Sequence, residues 1–430
     1  MLEFAVVIMV IFNQGEAKLH LTFGNDLQIR ETEAIGMGVA LEGLRVIELG
    51  NAVSAPFCAA MMADFGARVI KIESPKGGDM LRAMGNFKNL WYAVENRNKQ
   101  CVTLNLKAPE GAEILHQLLA DADILVENFR PGALKRLGFD WESLHEKYPR
   151  LIMVSISGYG QTGPYCKKAG FDRLGVAMGG LTYLTGLPDS EPLRPGFSLA
   201  DYTTGLYGLV GALMAIYNRD VAGSGVGQHI DASLYESILR MNETNLVDYS
   251  YKGVVRQRTG NSHPSTIPGG NFLTKDGQYL VMACGGEKLF KLWATKIGRE
   301  DLITNERYNT IESRIANRAE INKIAADWIA EHTMAECQVL FGDEIPNGAV
   351  YSVKEIFEDP HIKAREDLAT VDTDEFGTIT MQGIYPKLSG TPGQIKWVGQ
   401  ALGGSNQVIY GDILGKSSEE LDDLKAKGII

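Results

Sequence analysis

The 430-residue chain has few of the residues that mark several common classes of protein. Its five cysteines are scattered without a C-x-x-C pair, which predicts isolated thiols in a reducing compartment such as the cytoplasm. Its seven histidines show no metal-ligand spacing such as H-E-x-x-H, so no metal site is predicted. Lysine and arginine number 42 against 53 aspartates and glutamates. The resulting net charge of −11 argues against a general nucleic-acid binder.

The apolar run at the N-terminus, Phe4–Phe12, is short. A helix needs about 20 apolar residues to span a membrane, so no membrane association is predicted. The run also lacks the basic residues and the small-residue cleavage site of a signal peptide. Residues 13–36 are polar without a clear period, and regular patterning begins after Met37. We therefore expect residues 1–36 to be an extension outside the folded domain.

Beyond this extension, short apolar runs alternate with segments of helical period. Arg45–Leu49, Arg68–Ile72 and Val102–Leu106 are predicted strands, and Ser54–Phe65 is a predicted helix between the first two. Strands and helices continue to alternate to about residue 220, which predicts an α/β fold with a Rossmann-like parallel sheet. The first strand-to-helix loop lacks G-x-G-x-x-G, so nothing indicates a nicotinamide dinucleotide.

The sequence changes character near residue 259. Residues 37–230 form the predicted Rossmann-like large domain, and residues 231–258 a linker helix. A hairpin across Lys275-Asp276-Gly277 and the charged helical segments after it predict a smaller α+β domain at 259–345. Residues 346–430 return to short strands and polar turns and end in an amphipathic helix.

The segment Ser198–Tyr217 places one carboxylate, Asp201, at the start of a strongly apolar helix. Apolar residues fill nearly the whole helix, which predicts burial on most sides. Gly205, Gly208 and Gly211 recur every third residue and predict a flat face that another backbone approaches closely. The pattern also predicts that Asp201 is the N-cap, held ionised at neutral pH by backbone amides. An ionised carboxylate is the state that a nucleophile needs, so capping and catalysis are compatible roles.

A series of short motifs then recurs in order from Leu41 to the C-terminus. Each is weak alone, but their order and spacing over most of the chain resemble the class III CoA-transferases, also called the CaiB/BaiF family. The motifs are LEGLRVIEL (41–49), GARVIKIESP (66–75), NK (98–99) with LNLK (104–107), ENFRPG (127–132), SGYG (157–160), ADY (200–202), GQHID (227–231) and DPH (359–361).

The resemblance implies that Asp201 is a catalytic nucleophile. In this family the carboxylate attacks an acyl-CoA thioester to give an acyl-aspartyl anhydride, and the free CoA thiolate then forms an aspartyl-CoA thioester. An incoming carboxylic acid takes over the CoA. CoA and acyl-CoA are therefore expected as substrates, without a permanently bound cofactor. The resemblance also implies an interlocked homodimer. Its CoA-binding large domain would include residues 346–430, and its small domain would cover the partner's active site.

Further site residues follow from the same resemblance. Gly285 and Gly286 match a glycine loop whose amides would face tetrahedral oxyanions, although a simple hairpin exit is the alternative. Asp172 is a second candidate active-site carboxylate, or else a turn or capping residue. Ala52 and Val53 match a loop near the thioester. Four more positions match contacts to the nucleotide or pantetheine, and would otherwise be turn residues or solvated charges: Leu104, Lys107, Asn128 and Arg136.

Two other functions remain open within this resemblance. The α-methylacyl-CoA racemases of the same family use a histidine–aspartate pair, and the histidine would fall at Phe171. Phenylalanine cannot carry a proton, which favours the transferase. The other alternative is a catalytically silent CoA-binding protein, against which the presence of Asp201 argues.

The acceptor acid is predicted from similarity alone. Residues 384–395 and the surroundings of Asp201 resemble the carnitine and bile-acid branch of the family. This predicts carnitine, or a related betaine or hydroxy acid. A quaternary ammonium group would need an aromatic cage, for which Trp91, Tyr159 and Tyr202 are available.

Overall fold

A computed structural model describes residues 7–13, 16–22, 38–262 and 266–430. The expectation that residues 1–36 lie outside the folded domain falls largely outside these ranges. Within them, Val7–Asn13 (β1) and Glu16–Thr22 (β2) pair as an antiparallel hairpin.

Six parallel strands form the largest sheet, in the order β5-β4-β3-β6-β7-β8. The order reverses between β3 and β6, as in a Rossmann fold, and open α/β sheets bind ligands beyond the carboxyl ends of their strands at this switch point. The predicted α/β class and parallel sheet are therefore confirmed. The strands are Arg45–Glu48 (β3), Arg68–Glu73 (β4), Lys99–Thr103 (β5), Ile124–Glu127 (β6), Ile152–Ser157 (β7) and His229–Ser233 (β8).

The third strand of the prediction is displaced by three residues. The apolar run suggests Val102–Leu106, whereas β5 begins at Lys99. Lys99 is fully buried, and its ammonium group lies 2.7 Å from a carboxylate oxygen of Glu48. The prediction failed here because a hydrophobicity pattern does not register a charged side chain that is buried by pairing.

Helices cover both faces of the sheet, and alternate residues of β3 belong to different cores. Val46 packs in the core under α1 and α7, whereas Ile47 packs in the core under α3. The helices of this half are Ser54–Asp64 (α1), Leu90–Glu95 (α2), Pro109–Ala120 (α3), Trp141–Lys147 (α4), Asp172–Met178 (α5), Leu181–Leu184 (α6) and Leu199–Ile216 (α7).

The linker predicted at 231–258 is not one helix. It contains Leu234–Leu239 (α8) and Asn245–Lys252 (α9), separated by five residues. Glu243 has a φ of +47° in this break, a left-handed conformation that cannot continue a right-handed helix. Five of the six residues at 240–245 are polar, a sign of the break that the prediction of a single helix did not use.

The small sheet is antiparallel, with Tyr279–Ala283 (β10) between Gly269–Leu273 (β9) and Asn347–Ala349 (β11). The predicted hairpin is thus present, and a third strand lies just past residue 345. The helices packed on this sheet enclose a core that includes Phe290, Trp293 and Phe341. They are Glu287–Lys296 (α10), Asp301–Thr304 (α11), Ile311–Ala316 (α12), Arg318–Ala330 (α13) and Met334–Phe341 (α14).

The C-terminal segment covers the edge strand of the large sheet. The backbone N–H of Cys101 donates to Gln400 Oε1 at 2.9 Å, and that of Thr103 donates to Asn406 Oδ1 at 2.9 Å. These side-chain amides occupy the hydrogen-bonding edge that another strand would otherwise use. The remaining elements are Val353–Glu358 (α15), Pro360–Ala364 (α16), Leu368–Thr373 (β12), Gly377–Gln382 (β13) and Ser418–Ala426 (α17).

Candidate active site

The glycines of α7 make the close contacts that their spacing predicts. A Cβ added to Gly205 would lie 2.8 Å from the carbonyl oxygen of Ser54, and one added to Gly208 would lie 3.3 Å from Cys58 Sγ. A side chain at either position would push the helix away from α1. The glycines therefore fix how deeply the first turn of α7 sits against α1.

The opposite face of α7 is exposed, so the expectation of burial on most sides is wrong for the single chain. Met214 is 66% exposed and Tyr217 62% exposed. Among the described residues, Leu199–Val221 is the one helix long and apolar enough to cross a membrane, a test that core helices also pass. The sequence shows that this helix is apolar but not what covers it.

Asp201 is not the N-cap of α7. The helix begins at Leu199 after Ser198, so Asp201 is its third residue. The capping acceptor is instead Asp172 Oδ1, which accepts from the backbone N–H of Ala200 at 2.8 Å and of Asp201 at 3.4 Å. No hydrogen bond to the Asp201 carboxylate occurs within the described part of the chain. Asp172, at the start of α5, thus holds the backbone that carries Asp201.

Two carboxylates consequently share one partly buried site. Burial and, to a smaller extent, the neighbouring charge of Asp172 together raise the pKa of Asp201 to about 7. The prediction that backbone donors keep Asp201 ionised is therefore wrong, because those donors point to Asp172. With a pKa of about 7, the Asp201 carboxyl is partly ionised near neutral pH, so small changes in its surroundings change its ionised fraction.

The next residue of α7 joins an aromatic group around a second buried acid. The Tyr202 hydroxyl donates to Glu95 Oε1 at 2.6 Å, and Trp91 Nε1 donates to the same oxygen at 3.3 Å. Tyr159 instead packs against other tyrosines, and no ring contact joins it to Trp91 or Tyr202 in the described residues. The structure therefore does not assemble the three-ring cage. Sequence reasoning missed Glu95, since no motif connects residue 95 with Tyr202.

The loop after β3 lies between the switch point and this aromatic group. Asn128 Oδ1 accepts from the backbone N–H of Asn51 at 2.9 Å, and Asn128 Nδ2 donates to the backbone oxygen of Asn51 at 2.7 Å. Val53 is buried in a cluster against which Trp91 and Tyr202 pack. Asn128 thus links the loops after β6 and β3, and the Ala52–Val53 segment extends from the switch point towards α7.

A cavity of about 210 Å³ opens at the carboxyl ends of β3, β4, β5 and β6. Leu104 and Lys107 line it, and Arg136 lies on the surface beside Leu137, another lining residue. An apolar wall with lysine and arginine nearby suits a nucleotide base and its phosphates. A larger cleft of about 690 Å³ lies near the edge strand, but it contains none of the predicted site residues.

Gly285 and Gly286 connect β10 to α10. Arg314 Nη2 donates to the backbone oxygen of Gly285 at 3.4 Å and to Glu287 Oε1 at 2.8 Å. A Cβ added to Gly286 would meet nothing within 4 Å. No hydrogen bond or ion pair joins this loop to Asp201 in the described ranges. Those ranges likewise contain no cluster of three or more His, Cys, Asp or Glu that could hold a metal ion.

Comparison with known proteins identifies the class. The model of CoA-transferase family III matches residues 41–406. The chain is 40% identical over 395 residues to succinyl-CoA–D-citramalate CoA-transferase of Chloroflexus aurantiacus, covering 91% of this chain and 98% of that relative. It is also 40% identical over 398 residues to the β subunit of succinyl-CoA–L-malate CoA-transferase of the same organism, with 91% and 98% coverage.

A crystal structure of a CaiB/BaiF family protein from Brucella suis superimposes with a TM-score of 0.78 at 32% identity. The match covers 87% of this chain and 99% of that one. The chain therefore belongs to CoA-transferase family III and is a CoA-transferase, as the motifs predicted.

Proposed function

We propose that this enzyme moves CoA from succinyl-CoA to a hydroxy dicarboxylic acid of the malate or citramalate kind, with Asp201 as the nucleophile. The observation that carries the mechanism is the partly buried Asp201 carboxyl, which has a raised pKa and receives no hydrogen bond in the described part of the chain. The named relatives support the substrates, since they use succinyl-CoA and a hydroxy dicarboxylate.

Of the acceptors predicted from the sequence, the proposal retains a hydroxy acid and omits carnitine. A hydroxy acid remains, whereas carnitine has no support from these relatives or from the separated positions of Tyr159 and Tyr202. A dicarboxylate needs cationic or amide donors instead of an aromatic cage. The acceptor is therefore defined by a second carboxylate and a hydroxyl group.

The reaction proceeds in four displacements at acyl carbons. An Asp201 oxygen attacks the thioester carbon of succinyl-CoA, the C–S bond breaks, and CoA thiolate leaves with the electron pair. The thiolate attacks the Asp201 carbonyl of the resulting anhydride and releases succinate. The acceptor carboxylate then attacks the aspartyl-CoA thioester, and the freed thiolate attacks the acceptor carbonyl. Asp201 is regenerated as a carboxylate, so no net proton is consumed.

The surroundings of Asp201 suit the first displacement. A carboxylate without hydrogen-bond donors has less stabilised electron pairs, and its raised pKa makes it a better nucleophile than an exposed carboxylate. The partial positive charge at the N-terminus of α7 lies at the same place and favours the ionised form of Asp201. Oxyanions at the reacting carbon still require donors, and the amides of Gly285 and Gly286 are the proposed source.

We place these amides on a second copy of the chain. Large apolar side chains are exposed along α7, at its C-terminal end and along α9, and such exposed groups often mark an interface. They include Met214, Tyr217, Val247, Tyr249 and Tyr251. A homodimer would bury these side chains and could bring the glycine loop of one chain to Asp201 of the other. The proposed location is the cytoplasm, where reduced cysteines persist.

The racemase alternative lacks its proton carrier. Phe171 stands at the histidine position, directly before Asp172, and is 57% exposed. A phenyl ring cannot remove or return a proton. The transferase route needs no such group.

Mass spectrometry of the intact protein tests the proposal. Incubation with succinyl-CoA should add the mass of a CoA thioester, and hydroxylamine should map the adduct to Asp201. Asp201→Ala should abolish the adduct, whereas Asp189→Ala, an exposed aspartate, should leave it unchanged. An adduct that persists in Asp201→Ala would exclude this nucleophile. Faster labelling by a betainyl-CoA than by succinyl-CoA would exclude the dicarboxylate assignment, and α-deuterium exchange without an adduct would favour the racemase.

A further inference from the structure

We infer that Asp79 and Lys71 are positioning residues for CoA. They lie near the carboxyl ends of the central strands and hold the Ala52–Val53 loop in the conformation that binds CoA. The inference rests on the proposed function in one respect, namely that this loop lies beside the bound thioester. Neither residue is one of the candidate site residues that the sequence predicts. Asp79 belongs to the wall of the cavity that Leu104 and Lys107 line, but it is only 2% exposed, so its effect is assigned to the loop that it holds.

Lys71 is the centre of a fully buried ionic cluster. Its ammonium group lies 2.7 Å from Glu48 Oε1 and 2.8 Å from Asp79 Oδ2, and it donates to the backbone oxygen of Gly50 at 3.0 Å. All three charged side chains have no exposed surface. Lys71 therefore fixes the first residue of the loop directly and the remainder through Asp79.

Asp79 holds the strained residue of the loop. Its Oδ1 accepts from the backbone N–H of Ala52 at 3.0 Å and from that of Leu81 at 2.9 Å. Ala52 has a φ of +63°, a left-handed conformation that an alanine adopts only where its surroundings impose it. Without the hydrogen bond from its N–H to Asp79, Ala52 would relax to negative φ and carry Val53 with it.

The loop joins the two halves of the proposed binding site. On one side, Asn51 is paired with Asn128 and lines the cavity that contains Leu104 and Lys107. On the other side, Val53 packs into the cluster that reaches Tyr202, the neighbour of Asp201. A shift at Ala52 would therefore displace the nucleotide end of CoA relative to the nucleophile.

The cluster is better explained by positioning than by stability. Burying an ion pair costs desolvation energy that its attraction often fails to recover, and apolar replacements of equal volume are frequently as stable. A buried lysine that pairs with two carboxylates instead fixes the orientation of each carboxylate group. Here one of the two carboxylates is that of Asp79, whose second oxygen determines the conformation of the loop.

Calorimetric titration with coenzyme A tests the inference on the full-length enzyme. Asp79→Ala should raise the Kd for CoA at least tenfold. Asp64→Ala is the matched control, since Asp64 is equally buried and paired with Arg97 at 2.5 Å but makes no hydrogen bond to the loop. It should lower the melting temperature by a similar amount and leave Kd within twofold. Equal increases of Kd in both variants would overturn the inference.

A rescue separates positioning from general damage. Glycine adopts positive φ without strain, so Ala52→Gly in the Asp79→Ala background should recover part of the lost affinity. A Kd no better in the double variant would contradict the inference. Should Asp79→Ala fail to fold, Asp79→Leu replaces it, because leucine fills a similar volume but cannot accept the hydrogen bond from Ala52. A wild-type Kd in that variant would also overturn the inference. Wild-type enzyme that binds CoA but forms no covalent adduct would refute the proposed function while these comparisons still decide the role of Asp79.

Discussion

Two groups of buried acids in this molecule differ in the charge of their nearest neighbours. Around Lys71 and Lys99, each carboxylate lies 2.7–2.8 Å from an ammonium group, and Glu48 is shared between both lysines. Around Asp201, the neighbouring charge is another carboxylate, Asp172, and no cation offsets it in the described residues. The first arrangement holds the backbone, whereas the second leaves a carboxyl group without a compensating charge, as its proposed role as nucleophile requires.

The pKa values of Lys71 and Asp201 differ in the same way, because the neighbouring charges oppose the effect of burial at Lys71 and add to it at Asp201. Burial lowers the pKa of Lys71, but the charges of Glu48, Asp79 and Glu73 outweigh it, so the net pKa is raised and the lysine stays charged. Burial also dominates at Asp201, and there the neighbouring charge adds to its effect. The pKa of Lys71 is therefore shifted away from neutral pH and that of Asp201 towards it, while burial lowers the pKa of Lys99 despite its pairing with Glu48. Three predictions test this difference, beginning with the largest effect.

Breaking the compensated cluster should cost the most stability. Lys71→Met leaves Glu48 and Asp79 buried with one fewer partner, and removal of one member of a buried ion pair costs about 3–5 kcal/mol. Urea denaturation monitored by tryptophan fluorescence measures the loss. Adding Glu48→Gln should recover part of it, since the second change removes a stranded charge. A loss below about 1 kcal/mol for Lys71→Met would contradict the account.

Neutralising the uncompensated acid should instead increase stability, and only where Asp201 is ionised. The folded-state pKa of about 7 lies above the ordinary value of 3.8, so the folded state holds this proton more tightly than the unfolded state. The penalty is absent below pH 4, grows as the pH rises from 4 to 7, and is complete above 7. Asp201→Asn should therefore raise stability by about 1–4 kcal/mol at pH 8 and by little at pH 4.

Melting curves of wild type and Asp201→Asn at the two pH values provide the measurement. Asp220→Asn is a suitable control because Arg219 lowers the pKa of Asp220, which makes its ionised form stabilising. That variant should lose stability at pH 8. Equal gains for Asp201→Asn at pH 4 and pH 8 would show that the effect comes from packing instead of charge.

The sequence predicted the sheet, the helix that carries Asp201 and the family, because apolar periodicity and motif order are properties of the chain itself. It placed the cap of α7 on Asp201, whereas Asp172 supplies it from a separate helix. Local patterns favour a nearby acceptor, and no rule of spacing reveals one that arrives from 28 residues away.

The buried cluster around Lys71 could not be predicted from the sequence either. In the sequence, Lys71 and Lys99 resemble ordinary charged residues of strands. Their burial depends on Glu48 of β3, which lies next to the strand of Lys71 and two strands away from that of Lys99. Glu95 likewise becomes part of the site only when α2 and α7 pack together. The roles of Ala52, Val53, Gly285 and Gly286 stay predictions, since they depend on a substrate or a second chain.

The most direct test of the central claim is the pH dependence of covalent capture. Release of CoA thiol in a single turnover with succinyl-CoA should increase with pH in the wild type, with a midpoint near the Asp201 pKa of about 7. Asp172→Asn removes the neighbouring charge, while the amide oxygen can still accept from the N–H of Ala200. Its midpoint should move to lower pH, with folding preserved. A rate that is flat from pH 5 to 9, or an unchanged midpoint in Asp172→Asn, would contradict the claim that an uncompensated Asp201 controls the reaction.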